Sequence, residues 1–228
     1  MSAIPDASSS PTLAERWIKA NIVAAIISGV ASFAVYGVKH AVGAAGPQAE
    51  FGALLILYVA AITLSGFAGA AGGVLTGAVL QRIMRRLPAR TWIALHAGMS
   101  IVVGVAVELM DMSRSTGASE APSPDPSVLP SSVVFGAIVF GAISGTVAGG
   151  LEALVLRQVA SGTAAWIKWS AAAYAAAWLL LVTGATVLPP SGGLASELVN
   201  QALSFAAAVI VALLTLPALP LLQPRAPS

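Results

Sequence analysis

The sequence predicts an all-α fold, a polytopic transmembrane bundle of six helices, on three observations. Only 9% of the 228 residues are charged, against roughly 25% in soluble globular domains, so most of the surface cannot face water. The apolar residues gather into six runs, each near or above the ~20 residues that carry a helix across the hydrocarbon. One pattern of small residues also occurs twice at a fixed offset, and it sets the internal organisation. A transmembrane barrel would need short strands alternating apolar and polar side chains. Stretches such as "NIVAAIISGVASFAV" and "YAAAWLLLVTGATVL" do not alternate, and helices satisfy their own backbone groups within lipid.

Residues 1–12 are polar and rich in Ser and Pro, and are expected to form a disordered cytoplasmic N-terminus. The first apolar run, Trp17 to about Val42, is too long for a secretory leader and is expected to be a retained helix. "GAAGPQAE" supplies turn residues before the second run, Phe51 to about Met84. The short basic turn "QRIMRRLPAR" leads to the third, Thr91 to about Met110. A Pro/Ser-rich, net acidic external loop over 111–131 separates it from the fourth, Ser132 to about Ala160. The turn "RQVASGTAAWIK" precedes the fifth, Ala165 to Leu188, and "PPSGGLAS" the sixth, Glu197 to about Leu222. A single domain over 13–222 and a short cytoplasmic tail over 223–228 complete the chain.

The second run places small residues four apart at Ser65, Gly69, Gly73 and Gly77. The fourth does the same, 72 positions on, at Ala137, Gly141, Gly145 and Gly149. Arg85 stands 72 positions before Arg157, and each basic turn is followed by a Trp-Ile pair, Trp92-Ile93 and Trp166-Ile167. Residues four apart share a helix face, and a smooth face lets a neighbouring backbone approach closely, which drives association in lipid. The expectation is a parallel repeat of a glycine-column helical hairpin, helices 2–3 and 4–5, rather than an inverted repeat. The two columns are expected to meet near the bundle centre, with the first and sixth helices flanking.

Orientation follows from the basic residues. With the N-terminus inside, Arg16, Lys19, Arg82, Arg85, Arg86, Arg90, Arg157, Lys168 and Arg225 share the cytoplasmic side, and only Lys39 and Arg114 lie outside. Both termini are therefore expected in the cytoplasm. The Ala, Gly, Pro and Arg bias suits a GC-rich genome and a bacterial inner membrane. The net charge of +2 comes from helix ends and forms no basic stripe with exposed aromatics, so no nucleic-acid partner is expected. The absence of cysteine removes disulfides, thiolate metal sites and thiol catalysis.

Glu152 is the most informative ionisable residue. It lies five residues before Arg157, about 7 Å inside the basic boundary, where an acid needs a partner or a pathway. Lys168, at similar depth, is a candidate partner, and Glu152, Lys168, Arg85 and Arg157 form a candidate ion-pair or transport group. Glu108 and Asp111 near the outer end of the third helix, with Glu197 opening the sixth beside Asn200 and Gln201, form an outer acidic group that faces water or draws cations. His40 and His96 belong to opposite ends of their helices, too far apart to share haem or another metal, and no HExxH is present. Trp17, Trp92, Trp166 and Trp169 are expected to anchor at the inner interface. No GxSxG, Walker or dinucleotide motif occurs in its required setting.

No metal, cofactor or enzymatic activity is expected on these grounds. The sequence favours a non-enzymatic membrane protein acting through helix–helix packing, as an accessory or assembly subunit or a self-associating scaffold. Its partners would be the lipid bilayer and a second copy or another membrane protein. The alternative is a small transporter or channel that uses Glu152 and the outer acids.

Overall fold

The computed structural model describes residues 11–44, 50–116, 130–187 and 194–226. They form α1 (Leu13–Ala44), α2 (Glu50–Ile83), α3 (Ala89–Thr116), α4 (Ser131–Leu156), β1 (Ala160–Ser161), α5 (Thr163–Val187), α6 (Leu194–Thr215), a 3₁₀ turn (Leu216–Leu221) and β2 (Gln223–Pro224). All six α-helices contain a stretch long and apolar enough to cross a membrane.

Local chemistry explains the ends. Helix α1 opens with a capping box: the Thr12 backbone N–H donates to Glu15 Oε2 at 2.8 Å, and the Glu15 N–H to Thr12 Oγ1 at 3.2 Å. Pro88 and Pro130 stand just before α3 and α4 and give their carbonyls to Trp92 and Val134. Helix α6 stops at Thr215 instead of reaching Leu222, because Pro217 and Pro220 lack the N–H that an α-helix needs. The chain then tightens into the 3₁₀ turn and returns as β2, which pairs antiparallel with β1, Ala160 opposite Pro224. Between β1 and α5, Gly162 takes φ +78°, and a side chain there would run into the Leu221 carbonyl. Helix α3 continues to Thr116, so the beginning of the expected external loop is helical. Residues 117–129 and 1–10 lie outside the described set.

The helices pack in a ring, each chiefly against its neighbours in sequence, and α6 closes on α1. The seam between α3 and α4 is by far the sparsest. This differs from the expected centre-and-flank arrangement: α1 and α6 are members of the ring.

The principal core gathers at one end of the ring. Trp17, Leu80, Met84, Trp92, Leu156, Trp166 and Leu219 draw on the adjoining ends of α1 to α5 and on the chain that follows α6. Arg82 in the last turn of α2, Arg85 and Arg86 in the α2–α3 turn, Arg90 at the start of α3 and Arg157 just after α4 lie at this same end, called the basic end below. Trp17, Trp92 and Trp166 are 4%, 0% and 2% exposed. These three indoles form the plug of the bundle rather than an interfacial girdle, while Trp169 packs half-buried against it. Their N–H groups explain why burial is tolerated. Each finds a side-chain oxygen, and no buried side-chain nitrogen or oxygen among the described residues lacks a partner.

Candidate functional site

Each small-residue column lies against the helix that follows it. In α2, Ser65 meets Gly104, Gly69 meets the His96 carbonyl and Ser100, and Gly73 would bring a methyl group within 2.9 Å of the Ile93 Cα. Gly77 leaves the slot taken by the Trp92 indole, whose Cδ1 would be 3.0 Å from an added methyl. In α4, Gly141 meets Tyr174 and Ala175, Gly145 meets Ser170, Ala171 and Tyr174, and Gly149 meets Ser170 and Ile167. Ala137 is buried on the same face. The columns therefore do not meet one another, contrary to expectation. Turns of five and six residues, 84–88 and 157–162, hold consecutive helices side by side, so each glycine face finds its nearest backbone within its own hairpin.

Among the described residues, one ion pair bridges α3 and α4. His96 Nε2 lies 3.3 Å from Glu152 Oε1, with the two side chains 17% and 15% exposed. The other carboxylate oxygen, Oε2, accepts the Trp166 indole N–H at 2.6 Å. His96 Nδ1 is 3.0 Å from the carbonyl oxygen of Trp92, one turn earlier on α3. The Trp92 ring tilts over the imidazole with centroids 4.7 Å apart. Its own N–H donates to Thr76 Oγ1 at 3.1 Å, and that hydroxyl donates to the Gly72 carbonyl at 2.8 Å. The third indole, Trp17, donates to Thr215 Oγ1 at 3.1 Å and stands edge-on to Trp166 at 5.6 Å. A carboxylate, an imidazole and three indoles thus form one hydrogen-bonded and stacked cluster at the basic end.

Lys168 is not the partner of Glu152. It follows Trp166 by two residues, about 200° around the helix, and its side chain is exposed. Arg157 donates from Nε to Thr163 Oγ1 at 3.4 Å, and Arg85 is exposed in the α2–α3 turn. At the opposite end, Gln201 donates to Glu197 Oε1 at 2.6 Å, while Asn200 is exposed. The side chains of Glu108 and Asp111 lie outside the described set. His40 stacks edge-on against Tyr36 at 6.1 Å on α1 and takes no part in the cluster.

Sequence reasoning missed the His96–Glu152 pair and the Thr76 acceptor. Depth carried a usable clue to the first. His96 stands six residues after Arg90 and Glu152 five before Arg157, so both lie about 8 Å inside a basic boundary. Nothing in the sequence singled out Thr76. No group of three His, Asp or Glu side chains gathers to hold a metal ion among the described residues. What this arrangement can do chemically is hold or release a proton. No protein-family model, curated protein or solved structure matches the chain.

Proposed function

We propose that this is a multi-pass membrane protein that acts by helix packing rather than by catalysis, as an accessory or assembly subunit or a self-associating scaffold. The plug at the basic end carries the reading: side chains as large as Trp92, Trp166 and Leu80 are wholly buried there, and a solute would have to displace them. A solute path also needs several converging polar groups, and one cluster is not a path. The broad apolar face of α4, including Phe135, Ile143 and Leu151, is available to lipid or to a partner helix. The glycine columns are engaged inside the chain, so a partner would dock on these outer faces instead.

The bacterial inner membrane, cytoplasmic termini and parallel hairpin repeat belong to the same proposal. The repeat is supported by the matching order of contacts. Ile93 and Ser100 against the first column correspond, 74 residues on, to Ile167 and Tyr174 against the second. The Trp that opens each return helix also donates back to the helix before it.

The second reading, a small transporter for protons or cations, is favoured by the His96–Glu152 contact alone. Ionisable groups at such positions mark proton relays in pumps and transporters. Isosteric cysteines decide between the readings, because the chain has none of its own. Thr76→Cys and Ser170→Cys each put a thiol at a buried position, one per hairpin. Protection of both from a water-borne thiol reagent, with an oligomer or partner co-purifying, is the expected result. Labelling of both overturns the packing role in favour of an aqueous path.

A further inference from the structure

We infer that His96 and Glu152 share a single proton, and that this proton clasps α3 to α4 across the sparsest seam of the ring. The partners of each atom fix the count. The Trp92 carbonyl can only accept, so His96 Nδ1, 3.0 Å away, carries a hydrogen. The Trp166 N–H donates to Glu152 Oε2, so that oxygen acts as an acceptor. The remaining contact joins Nε2 to Oε1 at 3.3 Å, and both atoms present lone pairs unless one of them is protonated. Two arrangements satisfy it: an imidazolium facing a carboxylate, or a neutral imidazole accepting from a carboxylic acid. Both hold one proton on the same line, and both leave the pair without net charge. That neutrality suits a site inside an apolar span, where an isolated charge is costly.

The surroundings supply no substitute for the proton. Helix α2 faces this stretch of α3 with Gly69 and Gly73. Helix α5 brings Trp166, whose N–H is already given to Glu152 Oε2, and Tyr174, which packs against Gly145. Arg90, Arg157 and Lys168 are exposed. Removing the proton sets a carboxylate lone pair against an imidazole lone pair, with no other cation paired to them among the described residues. The clasp is therefore present while the proton is held and is lost as pH rises through its release. It rests on neither functional reading, since a scaffold and a transporter could each use it.

Nitrogen NMR on the full chain in nanodiscs, labelled at histidine, tests the proton directly. The chain has two histidines, and His40→Gln leaves His96 as the sole imidazole. The expected result is a hydrogen on Nδ1 throughout, with Nε2 and the Glu152 carboxyl carbon shifting together in one step as pH rises. A neutral imidazole with its hydrogen on Nε2, or separate midpoints for the two residues, overturns the shared proton. Cross-linking tests the clasp. Cysteines at Met99 and Ala148 sit one turn from the pair, three residues after His96 and four before Glu152. Above the midpoint, their cross-link should fall several-fold relative to the same cysteines with Glu152→Gln, whose amide still donates to Nε2. Equal yields in the two backgrounds at every pH overturn the clasp.

Discussion

In the α2–α3 hairpin the Trp92 indole donates to a neutral threonine hydroxyl, and in the α4–α5 hairpin the Trp166 indole donates to a carboxylate. The frame around the two rings is alike: a column of small residues, a short basic turn and a tryptophan within the first turn of the return helix. The acceptor differs because Leu80 occupies the position 72 residues before Glu152, and Leu80 is wholly buried in the plug. The hairpins also differ in cover. Helix α2 lies between α1 and α3, while α4 packs closely against α5 and only sparsely against α3. The same smooth face can thus support a purely structural hairpin or one that presents an ionisable group to a neighbour. On α2, Gly72 also faces the Ala24 Cβ of α1, whereas a methyl on Gly150, beside the column of α4, would meet nothing within 4 Å.

The largest expected effect would break the likeness at its root. Trp92→Ala removes a fully buried ring and should cost roughly 3–5 kcal/mol, read as a lower midpoint of detergent-driven unfolding by circular dichroism. Phenylalanine then separates the two hairpins. Trp166→Phe takes the donor from a carboxylate oxygen and should cost about 1.5–3 kcal/mol. Trp92→Phe leaves Thr76 bonded to the Gly72 carbonyl and should cost about 1 kcal/mol. Equal losses from the two Phe variants would show that the Glu152 contact contributes nothing particular.

The six helices and both basic turns were legible because span length and apolarity are local properties, written within each segment. The faces of the columns were legible too, since a spacing of four fixes a stripe on a helix. Which neighbour the stripe meets was not, because Gly145 has the same periodicity whether it faces α2 or Ser170 of α5. The same limit hid Glu152 from His96, which come together only through the ring closure of α3 on α4. Lys168 looked the better partner on charge, yet its position two residues from Trp166 turns it outward. The end of α6 was legible in Pro217 and Pro220 but was overridden by the apolar run through Leu222. The pairing of β2 with β1 depends on register across the closed bundle, which no local pattern records.

The smallest expected effects sharpen the difference in cover. Helix α4 carries adjacent glycines, Gly149 and Gly150, about 100° apart around its axis. A methyl group on Gly149 would lie 2.6 Å from the Ser170 Cβ, whereas one on Gly150 would meet nothing within 4 Å. Gly149→Ala should therefore cost about 1–3 kcal/mol through overpacking. Gly150→Ala should be neutral or stabilise by up to about 1 kcal/mol, the difference in helix propensity. Helix α2 repeats the arrangement at Gly72 and Gly73, but there both positions face a helix. A methyl on Gly73 would crowd the Ile93 Cα at 2.9 Å, while one on Gly72 would touch the Ala24 Cβ at an ordinary 3.6 Å. Gly72→Ala should consequently gain slightly more than Gly150→Ala, because the added methyl packs against α1 instead of standing free. If Gly150→Ala proves as damaging as Gly149→Ala in the purified protein, the outer face of α4 is covered by something that a single chain does not supply.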